Sequence, residues 1–265
     1  MRMEKGRNTA TAIFFIVTLP ALVALASAIP ATALGRPAAP VGLLVNGVSD
    51  PLAIDRDTTR FMWMSPGATR GERQVAWQIL VLGSSNRDSS GLKSAIWWNS
   101  GKVASDQSAC VEYGGRTLPP AMRFWWKVRI WDQTGKASAY GALSFFDTGL
   151  NQSDWRARYI WDGATQANHF AYFRKAFVIT KVPDLAEVYV SAFNDYALYC
   201  NGRLVGRGPA RCDPYHYGQY NGYDVTKLLK PGTNVFAAIA HKGVTWAGNI
   251  NARPFFLLEA LFSYP

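Results

Sequence analysis

Apolar and polar residues alternate with period two over much of the chain beyond its first 35 or so positions. Val75, Trp77, Ile79 and Val81 alternate with Ala76, Gln78 and Leu80. Phe124, Trp126, Val128 and Ile130 alternate with Trp125, Lys127, Arg129 and Trp131, a cleaner pattern with one wholly apolar face. Successive side chains of a strand point to opposite faces of its sheet, so this alternation predicts half-buried strands. Thr59–Ser65 adds a strand with Phe61 and Trp63 on one face, and Leu143–Asp147 adds another. Gly83–Gly91 predicts a polar connection and Asp132–Gly135 a tight turn. Several short strands in about 110 residues predict an immunoglobulin-like or fibronectin-type sandwich.

Gly149–Arg158 reads as a short boundary, after which the pattern resumes. Strands are predicted at Phe170–Ile179, Ala186–Ala192, Tyr196–Cys200, Asn234–Lys242 and Phe255–Phe262. Asn201-Gly202, directly after an alternating strand, predicts a hairpin turn, and Pro231-Gly232 a second turn. Gly206–Tyr220, rich in Gly, Pro, Arg and Tyr, predicts a long loop. No long amphipathic helix appears; one helical turn is expected at Val225–Leu229, capped by Asp224 or Thr226. Arg174 and Lys175 follow two aromatics in an alternating strand, so one is expected to face solvent and the other to meet a carboxylate. The expectation is an all-β chain with one sandwich over residues 36–150 and a second over 151–265.

The first 35 residues stand apart. Arg2, Lys5 and Arg7 precede an apolar run, Ile13–Ala28, which Pro20 interrupts. Ala26-Ser27-Ala28 and Ala31-Thr32-Ala33 both offer small-residue cleavage sites. This is the pattern of a secretory signal peptide over residues 1–35, and it implies a secreted or periplasmic protein. The run is short for a span of about 20 residues and contains a proline, which argues against a retained anchor. No later segment is apolar enough to cross a bilayer, so no membrane span is expected after signal removal.

Composition alters this picture little. With 49% hydrophobic and 14% aromatic residues, the chain has ample material for packed cores. The formal charge of +10 is spread without a basic run, which excludes a nucleic-acid partner as the first reading. An exported chain permits disulfides. Cys200 and Cys212 share the second domain and leave Cys110 over; the alternative is three unpaired, mostly buried thiols. His169, His216 and His241 lack metal-ligand spacing, apart from Cys212 four residues before His216.

Particular residues resemble those of a known family. In the first domain they are Gln74 and Trp77, then Trp97 or Trp98 with Ser100-Gly101-Lys102-Val103 and Ser105. Tyr113, Gly115, Leu118, Trp126-Lys127-Val128, Trp131-Asp132, Gly135, Ser138 and Phe145 complete the set. In the second they are Trp155, Trp161, Tyr172-Phe173-Arg174-Lys175, Phe177, Ala186, Val188, Tyr196, Asn201-Gly202, Tyr223-Asp224-Val225-Thr226 and Asn234. Together, across residues 38–265, they resemble the N-terminal half of a bacterial α-L-rhamnosidase of glycoside hydrolase family 78. The resemblance implies a fibronectin type III or immunoglobulin-like sandwich followed by a jelly-roll, galactose-binding-like sandwich. It implies that the jelly roll is incomplete at its C-terminus and that the chain stops before the family's (α/α)6 catalytic barrel. Inverting hydrolysis needs two carboxyl groups about 6.5–9.5 Å apart with a water between them and the sugar, and that barrel supplies them.

The implied partners are rhamnose-containing glycans and the missing catalytic domain. A sugar site needs an aromatic platform beside convergent polar groups. Trp246, Tyr215, Tyr217, His216 and Asn249 fall in loop-like segments that suit it. Some relatives of the jelly roll bind rhamnose with calcium through Asp and Asn side chains, and Asp195, Asn201 and Asp213 are the nearest oxygen donors here. The candidate carbohydrate-binding set is therefore Asp195, Asn201, Tyr217 and Trp246, with calcium the one cofactor in view. Against it, Asn201-Gly202, Asp224 and Thr226 also serve as turn and capping groups, and the aromatics also suit an interface with the catalytic domain. Asp154, Asp162, Asp184, Glu187, Asp195, Asp213, Asp224 and Glu259 are scattered, and nothing in their spacing marks a catalytic pair. The chain thus reads as the non-catalytic N-terminal fragment of an exported α-L-rhamnosidase-like hydrolase. The alternatives are a stand-alone carbohydrate-binding module and a cell-surface interaction sandwich.

Overall fold

Phe61 and Trp126 meet with ring centroids 4.6 Å apart, and the strands that carry them belong to two facing sheets. The computed structural model describes residues 36–67, 70–83, 95–166, 168–208, 219–243 and 254–264. The first sandwich consists of β1 (Val41–Val45), β2 (Arg60–Met64), β3 (Gln74–Gly83), β4 (Ala95–Asn99), β5 (Val111–Glu112), β6 (Arg123–Asp132) and β7 (Ser144–Asp147). One sheet has the order β1-β2-β5 and the other β4-β3-β6-β7, all pairs antiparallel. Phe61, Trp63, Ile79, Val81, Phe124, Trp126, Val128 and Phe146 fill the space between them.

The period-two pattern sets the inward face of β6, whose Phe124, Trp126 and Val128 are fully buried. On β3 the alternation fails at one place. Val75 is 37% exposed, whereas Trp77, Ile79 and Val81 point into the core. The register of β3 against β6 shifts between Gln74 and Ala76, and such a bulge turns one side chain out of sequence. Gln74 is buried in its place and binds the indole of Trp63 at 3.0 Å. The pattern did not reveal β1, β4 or β5: Gly42 and a register shift interrupt β1, β4 shows no alternation, and β5 has 2 residues.

The second sandwich consists of β8 (His169–Ile179), β9 (Leu185–Ala192), β10 (Asp195–Cys200), β11 (Arg203–Gly208), β12 (Asn221–Asp224), β13 (Gly232–Lys242) and β14 (Phe256–Ser263). Its sheets have the orders β11-β10-β13-β8 and β12-β9-β14, again antiparallel. Asn201 (φ 51°) and Gly202 (φ 79°) occupy the left-handed region in the β10–β11 hairpin, as its turn requires. The segment expected as a loop from Gly206 instead begins inside β11, which runs to Gly208. The single helical turn is a 3-10 turn at Thr226–Leu228, and the Asp224 carboxylate accepts from the Thr226 backbone N–H at 3.0 Å. Arg174 and Lys175 are both exposed, and among the described residues neither meets a carboxylate: β8 lies at a sheet edge, where long basic side chains reach water. Cys200 is buried as a free thiol, and burial pushes its pKa up to about 11; Cys110 is also unpaired but exposed. The leader at 1–35 and Cys212 lie outside the described residues.

Every residue of β9 is buried. Ala186, Val188, Val190 and Ala192 join the second core. The opposite face, Leu185, Glu187, Tyr189 and Ser191, is buried too, because the boundary segment and the first sandwich lie on it. There Tyr220 binds Leu150, Trp155 packs edge-on against Tyr189 and Tyr220, and Arg56 pairs with Asp154 at 2.5 Å. The approach is close enough that a Cβ on Gly149 would lie 2.3 Å from the Tyr220 hydroxyl.

Candidate functional site

The described residues contain one close pair of buried carboxyl groups, and it lies at this seam. Arg123 grips Asp147 with a two-point fork, Nε to Oδ1 at 2.7 Å and Nη2 to Oδ2 at 2.5 Å, and stands over the Phe145 ring. Glu187 approaches from β9 and accepts from the Tyr189 hydroxyl at 3.0 Å. Burial first, and then the charge of Asp147, push Glu187 up to about 8. One guanidinium thus faces two carboxyl groups, and the second keeps its proton at neutral pH. A buried carboxyl that keeps its proton beside a second carboxyl group is also a mark of catalytic sites. Here Asp147 is 0% and Glu187 2% exposed, so no glycosidic bond reaches them, and the cluster serves packing.

A second polar cluster lies at one end of the second sandwich. His241 stacks on Phe170 at 4.3 Å, contacts Asp195 Oδ2 through Nδ1 at 3.3 Å and Asn168 Oδ1 through Nε2 at 3.0 Å. Nearby on β8, His169 pairs with Asp162 at 2.6 Å and touches Gln166 at 3.2 Å. The bond to His169 and the Ala164 backbone N–H hold Asp162 below the usual carboxylate range. Asp195 itself is exposed at the start of β10.

Asn201 lies at the other end of the same strand, about 20 Å from Asp195 at ~3.3 Å per residue, so the two do not share one ion or sugar ring. Its amide is engaged within the fold. Nδ2 donates to the Leu228 carbonyl at 2.8 Å and to Asn234 Oδ1 at 2.7 Å, and Oδ1 accepts from the Val235 N–H at 2.9 Å. Asn234 in turn spans the Lys230–Gly232 turn. Tyr217 and Trp246, with Tyr215, His216, Asp213 and Asn249, lie outside the described residues. Among the described residues no three His, Cys, Asp or Glu side chains converge as a metal site would need. It is the length of β10 between them that keeps Asp195 and Asn201 from sharing one calcium ion.

Sequence reasoning passed over the outer face of the β11-β10-β13-β8 sheet. Asn234, Phe236, Ala238 and Ala240 point inward and are buried, so their alternates point out. Tyr172 is 75% and Val178 72% exposed there, and Phe170 and Leu204 are exposed beside them. Tyr172 pairs in register with Ile239, Ala176 with Val235, Ala197 with Ile239 and Tyr199 with Ala237, which joins these side chains into an apolar strip, with Arg174 opposite Ala237 and Arg207 opposite Ala197 on the same face. On β13 the outward Val235, Ala237 and Ile239 are apolar as well, whereas a strand of a solvated antiparallel sheet alternates apolar and polar. The signal was in the sequence: Val235, Ala237 and Ile239 interleave with the core residues of β13, leaving no polar face in that run.

Comparison with known proteins places this geometry. Residues 40–152 match a family described as the Rha78A-like, N-terminal immunoglobulin domain. Residues 181–254 match the α-L-rhamnosidase N-terminal domain. An α-L-rhamnosidase of Formosa agariphila is 31% identical over 228 residues, covering 76% of this chain and 24% of the relative. One from Streptomyces avermitilis is 31% identical over 220 residues, covering 74% of this chain and 21% of the relative. The chain thus spans about a quarter of the length of the curated relatives it matches. Among solved structures, the α-L-rhamnosidase from Dictyoglumus thermophilum superposes with a TM-score of 0.70 at 26% identity, over 85% of this chain and 27% of that one. An immunoglobulin-like sandwich leading across a closed seam into a rhamnosidase N-terminal sandwich makes this chain a member of the α-L-rhamnosidases of glycoside hydrolase family 78, of which it carries the N-terminal portion.

Proposed function

We propose that the chain is the non-catalytic N-terminal region of an exported α-L-rhamnosidase-like glycoside hydrolase that acts on terminal rhamnose of glycans or glycosides. Its two sandwiches support the catalytic part, and the outer face of the β11-β10-β13-β8 sheet is where they meet it. The observation that carries this reading is that apolar face in a region amounting to about a quarter of its relatives. Exposed apolar side chains grouped in this way, with Arg174 and Arg207 among them, suit an interaction site. The only close buried carboxyl pair among the described residues is sealed in the seam, which supports a supporting role over a catalytic one. The leader pattern of residues 1–35 supports export.

The test is direct. The purified chain is expected not to release the chromophore from an aryl α-L-rhamnoside. Sustained hydrolysis that copurifies with the chain would refute the reading.

A second reading, a stand-alone carbohydrate-binding module, draws on the exposed Asp195 beside His241, Asn168 and Phe170. It predicts that Asp195→Ala weakens binding of rhamnosylated glycans.

A further inference from the structure

The first sandwich holds a cleft that neither reading uses. It has a volume of about 230 Å³ and lies between the Arg56–Arg60 segment, Glu112 on β5, and the following turn to Leu118. Its floor is firm. Leu118 is 2% exposed, and Tyr113 packs edge-on against Trp98 at 5.2 Å while its hydroxyl donates to the Arg116 carbonyl at 2.8 Å.

The rim carries polar groups with spare capacity. The hydroxyls of Thr58 and Thr117 have no hydrogen-bond partner among the described residues. Arg60 and Glu112, neighbours across β2 and β5, touch at only 3.5 Å and stay largely exposed. Arg56 is committed through its two terminal nitrogens to the Leu118 carbonyl and Asp154, yet its Nε–H is buried without a partner. A buried donor left unmade is costly, so a ligand oxygen within its reach would be favoured.

The chemistry of the lining selects a ligand class. Two arginines stand against Asp57 and Glu112, so their charges cancel and neither an anion nor a cation is preferred. Polar groups dominate, which disfavours a purely apolar ligand. Guanidinium donors, carboxylate acceptors and free hydroxyls side by side match a molecule whose every group both donates and accepts. The volume falls below the ~300–1,000 Å³ of sites for drug-sized ligands and suits a single ring.

We propose that this cleft is a saccharide subsite, taking one neutral sugar unit between Arg60, Glu112, Thr58 and Thr117 against the wall formed by Tyr113. It lies on the first sandwich, apart from Asp195, and does not depend on how the catalytic question is answered. Asn151 and Asp154 of the boundary contact Asp57 and Arg56, so the subsite borders the seam.

The full chain is titrated with methyl α-L-rhamnoside, methyl β-D-galactoside and D-glucuronate, read by saturation-transfer NMR and calorimetry. A neutral glycoside is expected to bind with a dissociation constant on the order of millimolar. Thr58→Val with Thr117→Val removes two unbonded hydroxyls at constant shape and is expected to weaken binding about fivefold or more. Arg60→Ala with Glu112→Ala, which keeps the lining neutral, is expected to do the same. Absence of binding by either neutral glycoside overturns the proposal. So does stronger binding of glucuronate, or affinity that survives both double variants.

Discussion

Tyr220, just before β12, holds both backbone groups of Leu150, three residues beyond the end of β7. Its hydroxyl oxygen accepts from the Leu150 N–H at 2.5 Å and donates to the Leu150 carbonyl at 2.9 Å. One phenol therefore satisfies a boundary residue that no strand serves, while Trp155 supports the ring edge-on at 5.2 Å. Burial raises the phenol's pKa, so it stays protonated and able to donate. Tyr220→Phe keeps the ring and removes both bonds. It is expected to cost about 1–3 kcal/mol, seen as a lower urea midpoint. An unchanged midpoint would mean that water serves Leu150 equally well.

Glu187 makes stability depend on pH. Its carboxyl rises from an ordinary value of 4.5 to about 8 in the folded chain. The folded state thus holds a proton that the unfolded state releases between those values. The stabilisation is fully present below pH 4.5 and is lost as pH rises through about 8, at up to about 1.4 kcal/mol per pH unit for one proton. Thermal midpoints are expected to fall across that window in the wild type. Glu187→Gln, always neutral, should flatten the slope. A Glu187→Gln profile parallel to wild type would remove Glu187 as the cause.

Among the described residues, Arg123 is the cation that faces both Asp147 and Glu187. Arg123→Met leaves Asp147 buried without compensation, and about 3–5 kcal/mol should be lost. Arg123→Lys keeps the charge but not the fork, so a smaller loss is expected. Calorimetric unfolding of both variants ranks the two contributions, and equal losses would show that the fork geometry matters more than the charge.

Asn201 tests turn geometry against side-chain bonding. Asn201→Gly keeps the left-handed backbone and loses three hydrogen bonds, those to Leu228, Asn234 and Val235. Asn201→Ala loses both. Each is expected to lower the denaturation midpoint, Ala more than Gly by about 1 kcal/mol. Equal midpoints would assign the whole role of Asn201 to its amide.

Tyr172 and Val178 stand on the apolar outer face and support no core residue. Tyr172→Asp with Val178→Asp should change the stability of the chain by less than about 0.5 kcal/mol per site. It should also cut the fluorescence of a dye that binds exposed apolar surface. Undiminished fluorescence would mean that this face is not the exposed one.

The strands that alternate cleanly were legible from the sequence, because alternation is a property of neighbours along the chain. β6 and its Phe124, Trp126 and Val128 are the clearest case, and Asn201-Gly202 marked its hairpin for the same local reason. Val75 was misplaced because a bulge is a two-strand event, visible only once β3 lies against β6. The candidate residues Asp195 and Asn201 are six positions apart in the sequence. The extended strand between them sets them at opposite ends of β10, a separation that residue type alone does not reveal.

By itself the sequence determined an all-β chain of two sandwiches, the turns that join many of their strands, and a family resemblance carried by scattered aromatic and turn residues. Only the tertiary structure decided the state of Glu187, since a carboxyl keeps its proton at neutral pH when burial and Asp147 from another sandwich surround it. Only the tertiary structure joined Tyr172, Ile239 and Tyr199 into one apolar face, and Arg60, Glu112 and Thr117 into one cleft. The physical reason is the same in each case. Backbone preference and alternation act between residues near in sequence, whereas dielectric, charge and shape complementarity act between residues near in space.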